Sequence, residues 1–419
     1  MKTKFLLLLT GPRFAPRLCG AKAKGNRRRQ VTIITMVASF LMLASLSSVT
    51  AQRATPSPRP RPNPHERNLH AGAVYVLTNQ VENTVAVFSR TADGMLTSAG
   101  EFSTGGAGDP VAQPQDPPTD PLASQGALIL DRSHQFLFAV NAGSNQVSVL
   151  KVSANGLDLV GVVDSGGVRP ISLALHENLL YVLNEGGTPN ITGFTVGDDG
   201  TLTPLADSTQ PLIGDTAADP AEVSFDRDGA LLVVTEKAGN RLDTYTIDEN
   251  GLPSAPIDNA SNGMTPFGFA FNNQGFLVVS EAFGGAPNGS AASSYGAGDD
   301  GVLSVISGSV VNSQTASCWV VTTNNGQRAF TSNTGSGTIS SYQIGAGNGT
   351  LTLLNGVAGD TGANSAPIDM ALNGSSHFLH VLAGGLQSVV TFRVEHDGSL
   401  TLIDTDGGLP LGAQGIAAK

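Results

Sequence analysis

Apolar residues come along this chain in runs of strand length, separated by Gly, Asp and Asn. The clearest stretch is Pro220 to Gly251, PAEVSFDRDGALLVVTEKAGNRLDTYTIDENG. It predicts a strand over Glu222–Phe225, a turn over Asp226–Gly229, a second strand over Leu231–Thr235, a third over Leu242–Ile247 and a turn over Asp248–Gly251. Short apolar or alternating runs bounded by such residues read as strands. The second-plus-third-strand element recurs seven times, at 74–88, 137–150, 180–194, 231–245, 276–308, 329–342 and 379–392. In the copy at 276–308, Gly284–Gly301 reads as a long insertion between the two strands. After most copies an Asp-Gly or Asn-Gly pair, such as Asp199-Gly200 or Asp397-Gly398, supplies the positive φ of a tight hairpin and leads into a fourth strand. Before most copies stands a first strand, led by Pro170, Pro220, Pro266 or Pro367.

Four antiparallel strands repeated at a period of roughly 45–52 residues predict an all-β, seven-bladed β-propeller over residues 70–419. The first copy begins at its second strand, Val74, while Gly412–Ala418 reads as an orphan first strand. The C-terminus is therefore expected to complete the first blade and close the ring. Composition agrees: 51 glycines and 5% aromatic residues suit short strands and tight turns.

Charge divides the chain. Thirteen of the 23 Lys and Arg residues precede residue 68, against one of the 34 Asp and Glu. The remainder is strongly acidic, which argues against binding to nucleic acid or to anionic membranes. Residues 1–51 have the order of an export signal: a basic segment ending in Arg27-Arg28-Arg29, an apolar segment from Val31 to Val49, and Val49-Thr50-Ala51 as a small-residue cleavage site. Residues 52–69 form a Pro/Arg-rich linker that cannot build a core. A secreted or periplasmic protein is expected, free of the membrane once the signal is cleaved. Of two cysteines, Cys19 lies in the leader and Cys318 in an apolar run, so no disulfide is expected in the domain. No metal-binding, phosphate-binding or nucleophile-elbow motif is present, and no cofactor or metal is predicted.

Strand order fixes which loops share a face. Loops after second and fourth strands emerge together, and this face receives the insertions Gly105–Gln125 and Gly284–Gly301. Glu185, Glu236 and Glu281 end second strands there, where other repeats have Asn79, Asn141 and Asn333. Arg169 immediately precedes a first strand. Glu222 and Asp369 lie two residues after a blade proline, where other blades have Ser172 or Gly268, which suggests that they point into the channel. Paired carboxylates can act as general acid and base, can ligate a hard cation, or can simply be hydrated. The candidate catalytic set is Glu222, Asp369, Glu185 and Arg169, with Glu222 or Glu185 activating water; the reading requires Glu222, Asp369 and Arg169 to converge in one pocket. Glu236, Arg241 and Glu281 are candidate binding residues, with Arg169 or Arg241 stabilising developing negative charge. The histidines are scattered, and His377 and His380 point to opposite sides of one strand.

The Tyr181-Val182-Leu183-Asn184-Glu185 run, the Asp-Gly-x-Leu-Thr turns and the proline-led strands resemble the seven-bladed lactonase-type propellers. Those include 6-phosphogluconolactonase of the propeller kind and carboxymuconate-lactonising enzymes. Tyr75-Val76-Leu77-Thr78-Asn79 is similar to Y-V-T-N repeats of surface-layer propellers. The resemblance implies a lactone-hydrolysing or ring-opening enzyme and carries a site role onto Glu185. The family's Pro-Arg-His is absent: the strands read Pro170-Ile171-Ser172, Pro220-Ala221-Glu222, Pro266-Phe267-Gly268 and Pro367-Ile368-Asp369. Two function classes stay open. One is an exported lactonase acting on a small sugar-acid or related lactone. The other is a non-catalytic envelope propeller binding a protein or glycan through its loop-rich face. A closed ring is complete as a monomer, and a monomer is expected.

Overall fold

A computed structural model describes residues 71–114 and 116–419, so the export segment and the linker lie outside the described residues. Seven antiparallel sheets follow one another round a ring. Numbered from the N-terminus, their innermost strands are Gln414–Ala418 for blade 1, then Leu128–Leu130, Val168–His176, Pro220–Phe225, Pro266–Phe271, Ser317–Thr322 and Pro367–Leu372. No α-helix occurs among the described residues.

The ring closes as the sequence predicts. Gln414–Ala418 pairs antiparallel with Gly72–Leu77, Ala417 opposite Tyr75 and Ile416 opposite Val76. The first and last residues of the propeller thus share one sheet, which leaves no terminal blade in need of a polar cap.

Second and third strands are buried on both sides, because each sheet packs between two others. All five tyrosines lie on these strands and are almost fully buried. Their hydroxyls reach main chain: Tyr181 donates to Gly251 O at 2.7 Å, Tyr245 to Pro211 O at 3.0 Å, and Tyr295 accepts the Asn262 N–H at 2.8 Å. A large ring fills the gap between sheets while its polar end stays satisfied.

One element departs from the sequence pattern. The predicted insertion Gly284–Gly301 contains the third strand of blade 5, Ala291–Ala297, and Leu303–Val311 is the fourth strand. Ala291, Ala292, Ser293 and Ser294 are fully buried. Two-sided burial between close sheets favours side chains this small, and small residues carry no apolar alternation to read.

Deleting the chain after Leu409 removes the closing strand and bares the edge of blade 1. The melting temperature should fall by at least ~10 °C with loss of a single cooperative transition. An unchanged melt would contradict closure through this strand.

Candidate active site

Each innermost strand has one edge without a neighbouring strand, and an unpaired N–H there must find another partner. Inward side chains supply it to the next blade. Ser172 Oγ accepts the Val223 N–H at 3.1 Å, and Glu222 Oε2 accepts the Phe269 N–H at 2.6 Å. Asp369 Oδ1 accepts the Met370 N–H at 2.8 Å, and the Ile416 and Gly126 N–H groups also face its carboxylate. Blade 5 has Gly268 at this level, and the side chain of Gln125 stands in: its Oε1 accepts the Val320 N–H at 2.9 Å.

Gln125 comes from the insertion 105–125, which does not stand away from the loop-rich face but folds down as a plug across the ring. Asn79 of blade 1 accepts the Asp109 N–H at 2.9 Å. Arg169 of blade 3 donates to Pro121 O at 2.7 Å, and Lys237 of blade 4 to Ala123 O at 2.9 Å. Trp319 Nε1 of blade 6 donates to Ser124 O at 2.9 Å. At Gly384 of blade 7 an added Cβ would lie 2.7 Å from Thr119 O, so only glycine lets the plug pass this closely. Leu122 and Ser124 are completely buried.

The channel is therefore open only at the opposite face, where turns join first to second strands. A cavity there has two adjoining lobes of about 550 and 480 Å³, and Gln125 and Glu222 line both. Asp369 lines the second lobe. The walls carry Ser224, Leu175, Ala270, Val321 and Met370, while Arg132, Arg227 and His176 come from strand ends and turns near the mouth. Burial drives the Glu222 carboxyl well above the ordinary range, and its neighbour Asp369 pushes it further. Burial likewise pushes Asp369 up to about 7, against main-chain N–H groups that favour its ionised form. The arrangement places a proton-holding acid and a carboxyl that titrates near neutrality in one enclosed space, the pattern that acid–base catalysis uses.

The expected convergence of Arg169 with Glu222 and Asp369 does not form. Arg169 lines a separate cleft of about 240 Å³ with Glu185, Asp219 and Gln113 on the plugged face. Its guanidinium pairs with Glu185 and with Asp109, the latter at 3.0 Å. Strand pairing also corrects the equivalence of the glutamates. Asn141, Asn184, Glu236, Glu281 and Asn333 are the last residues of their second strands to pair with the third strand. Glu185 lies one residue further, and its counterpart in blade 4 is Lys237.

The glutamates at the last paired position clasp the loop that enters their own blade. Glu236 Oε1 accepts the Gly214 N–H at 2.8 Å and Glu281 Oε1 the Gly263 N–H at 2.9 Å. Both are completely buried. Glu281 also accepts from Ser293 and, at 2.7 Å, from Ser309. Arg241 lies beside Glu236 Oε2 at 3.6 Å and Asp258 at 3.5 Å, and does not line the channel cavity. Among the described residues no three His, Cys, Asp or Glu side chains form a metal-holding group. Cys318 is buried, and burial pushes its thiol up to about 12, far from a reactive thiolate.

Sequence reasoning passed over Gln125 and Lys237, which bind the plug to blades 4, 5 and 6. A hint existed for Gln125: glycine at 268 breaks the series of polar inward residues, leaving a space that another segment must fill.

The family described as lactonase, seven-bladed β-propeller, matches this chain over residues 65–212 and 127–282, which together span a little over half of it. A 6-phosphogluconolactonase of Yersinia pestis is 32% identical over 127 residues, 29% of this chain and 35% of that protein. The chain thus spans about a third of the length of the curated relatives it matches first. Among solved structures, a periplasmic gluconolactonase of Pseudomonas aeruginosa superposes with a TM-score of 0.64 at 13% identity, covering 82% of this chain and 98% of the other. A functionally unknown protein of Desulfotomaculum acetoxidans gives 0.62 at 14% identity, covering 83% and 98%. Identities this low carry the fold and nothing finer.

Burial pushes two acids in the channel region, Asp369 and Asp120 of the plug, up to about 7. In the unfolded chain both ionise near ~4. The folded state then holds protons that the unfolded state has lost, so stability should decline as pH rises from about 4 through about 7, and the buried Glu222 and Asp243 carboxyls, raised as well, carry the decline further. Urea midpoints measured across this range test it, and Asp120→Asn should flatten the decline. A slope of the opposite sign, or one unchanged by the substitution, would contradict the burial of these acids.

Proposed function

The chain belongs to the seven-bladed β-propeller lactonase family, and on that premise we propose that it hydrolyses a lactone in the channel cavity. The observation carrying this reading is the meeting of Glu222 and Asp369 at the floor of one cavity, with both carboxyls shifted toward neutral pH by burial. Asp369, once ionised, takes a proton from water as the water oxygen bonds to the lactone carbonyl carbon. Glu222, still protonated, gives its proton to the ring oxygen as the ring C–O bond breaks. The product is the open hydroxy acid.

The substrate is an unphosphorylated lactone. Among the described residues Arg132 and Arg227 are the only Lys or Arg lining the cavity, and both come from turns near its mouth. No basic cluster surrounds the floor to hold a phosphate. Export fits the same reading: the leader has the order of a cleavable signal, and the neighbour from Pseudomonas aeruginosa is a periplasmic gluconolactonase. The plug fills the loop-rich face that a protein or glycan ligand was expected to use, which favours the channel as the working end.

A panel of sugar-acid and muconate-type lactones, followed by acid release, tests the proposal. With an active lactone, kcat/KM should rise through about pH 7 as Asp369 ionises, and fall at higher pH as Glu222 loses its proton. Asp369→Asn should abolish the rising limb, and Glu222→Gln, which keeps an acceptor for the Phe269 N–H, should lower kcat about 10²–10⁴-fold. Turnover within about threefold of the parent in the double variant would overturn the assignment of these two residues.

A further inference from the structure

Gln125 is held by both ends of its amide. Oε1 accepts the Val320 N–H at 2.9 Å, which leaves Nε2 as the donor to Val320 O at 2.8 Å. The second Nε2 hydrogen has only Phe269 O, at 3.5 Å, the outer limit of a hydrogen bond. Glu222 accepts the N–H of that same Phe269 at 2.6 Å, so the two side chains meet the main chain of one residue. Both also line the two lobes of the cavity. The room for Gln125 exists because residue 268 is glycine, where a Cβ would overlap Gln125 Oε1.

We propose that Gln125 is the oxyanion donor of the lactone-opening reaction, its second Nε2 hydrogen, held only weakly by Phe269 O, donating to the carbonyl oxygen of the substrate. The inference rests on the reading of this cavity as a lactone site. As water adds, the π pair of the carbonyl moves onto its oxygen. The pair returns when the ring C–O bond breaks and the ring oxygen takes its proton. A fixed N–H, already aimed and shielded from water on the plug side, stabilises that transient charge without having to reorganise. An amide suits this floor better than a cation. A lysine or arginine here would pull the carboxyls of Glu222 and Asp369 down and remove the protonated acid. The strong anchoring through Val320 fixes the amide plane, and the weak hold on Phe269 leaves its second hydrogen available to a ligand. The plug thereby supplies a reacting group as well as a seal.

Two substitutions test this on the full chain with a lactone it turns over. Gln125→Met fills the same space without a charge and removes the donor. Gln125→Asn keeps the amide and draws it back by one methylene. Each should lower kcat about 10²-fold, the usual cost of one lost oxyanion donor, with KM within about threefold of the parent and circular dichroism unchanged. A residue that merely staples the plug would lower the melting temperature and leave kcat at saturation intact. If both variants keep kcat within about threefold while Glu222→Gln has lost it, the role of Gln125 is wrong and the lactonase reading stands. If the parent chain opens no lactone, both fall together.

Discussion

Seven innermost strands each present an unpaired edge to one shared channel, and the polar groups on those edges have to be satisfied away from bulk water. This requirement organises the centre of the molecule. Ser172, Glu222 and Asp369 answer it from within the blades, and Gln125 answers it from the plug. The plug adds main-chain bonds of its own, from the Gln125 N–H to Ala221 O at 3.0 Å and from the Ser124 hydroxyl to Ile171 O at 2.9 Å. One segment therefore ties together blades that do not touch one another. Arg169 and Lys237 hold it in place, each paired with carboxylates as well as with a plug carbonyl.

The same requirement produces the chemistry. A carboxyl that caps a main-chain N–H inside a plugged channel is held in one orientation and kept from full hydration. Those two conditions raise its proton affinity and fix its direction, as a general acid or base needs. Glu222 and Asp369 differ in how much each environment favours the ion: one main-chain N–H meets Glu222, and three face Asp369. That difference separates their roles. On the plugged face Arg169 pairs with Asp109 and Glu185 and Lys237 with Asp219, and these pairs secure the plug.

The architecture was legible because blade structure is written locally. Asp-Gly turns, proline-led strands and the orphan strand at Gly412–Ala418 each need only neighbouring residues to be read. Glu222 and Asp369 were legible as channel residues because they break a series of small inward side chains. The third strand Ala291–Ala297 was hidden because burial on both sides selects small residues without alternation. The path of 105–125 was hidden because its stability comes from contacts with distant blades, while its own composition is that of a loop. The misaligned glutamates have a similar cause. One residue of register separates the clasp at Glu236 and Glu281 from the position on the plugged face that Glu185 and Lys237 take, and only the strand pairing reveals it.

The central claim is that chemistry enters from the face opposite the plug. Blocking each end in turn tests it most directly. In a chain carrying Cys19→Ser, with Cys318 buried and out of reach of reagent, a cysteine is placed either at Ser224 in the cavity wall or at Thr216 in the cleft beside Arg169. Each is alkylated with a bulky maleimide, and lactone hydrolysis is measured before and after. Loss of turnover on labelling position 224, with turnover retained on labelling position 216, is the predicted result. The reverse pattern would contradict the account.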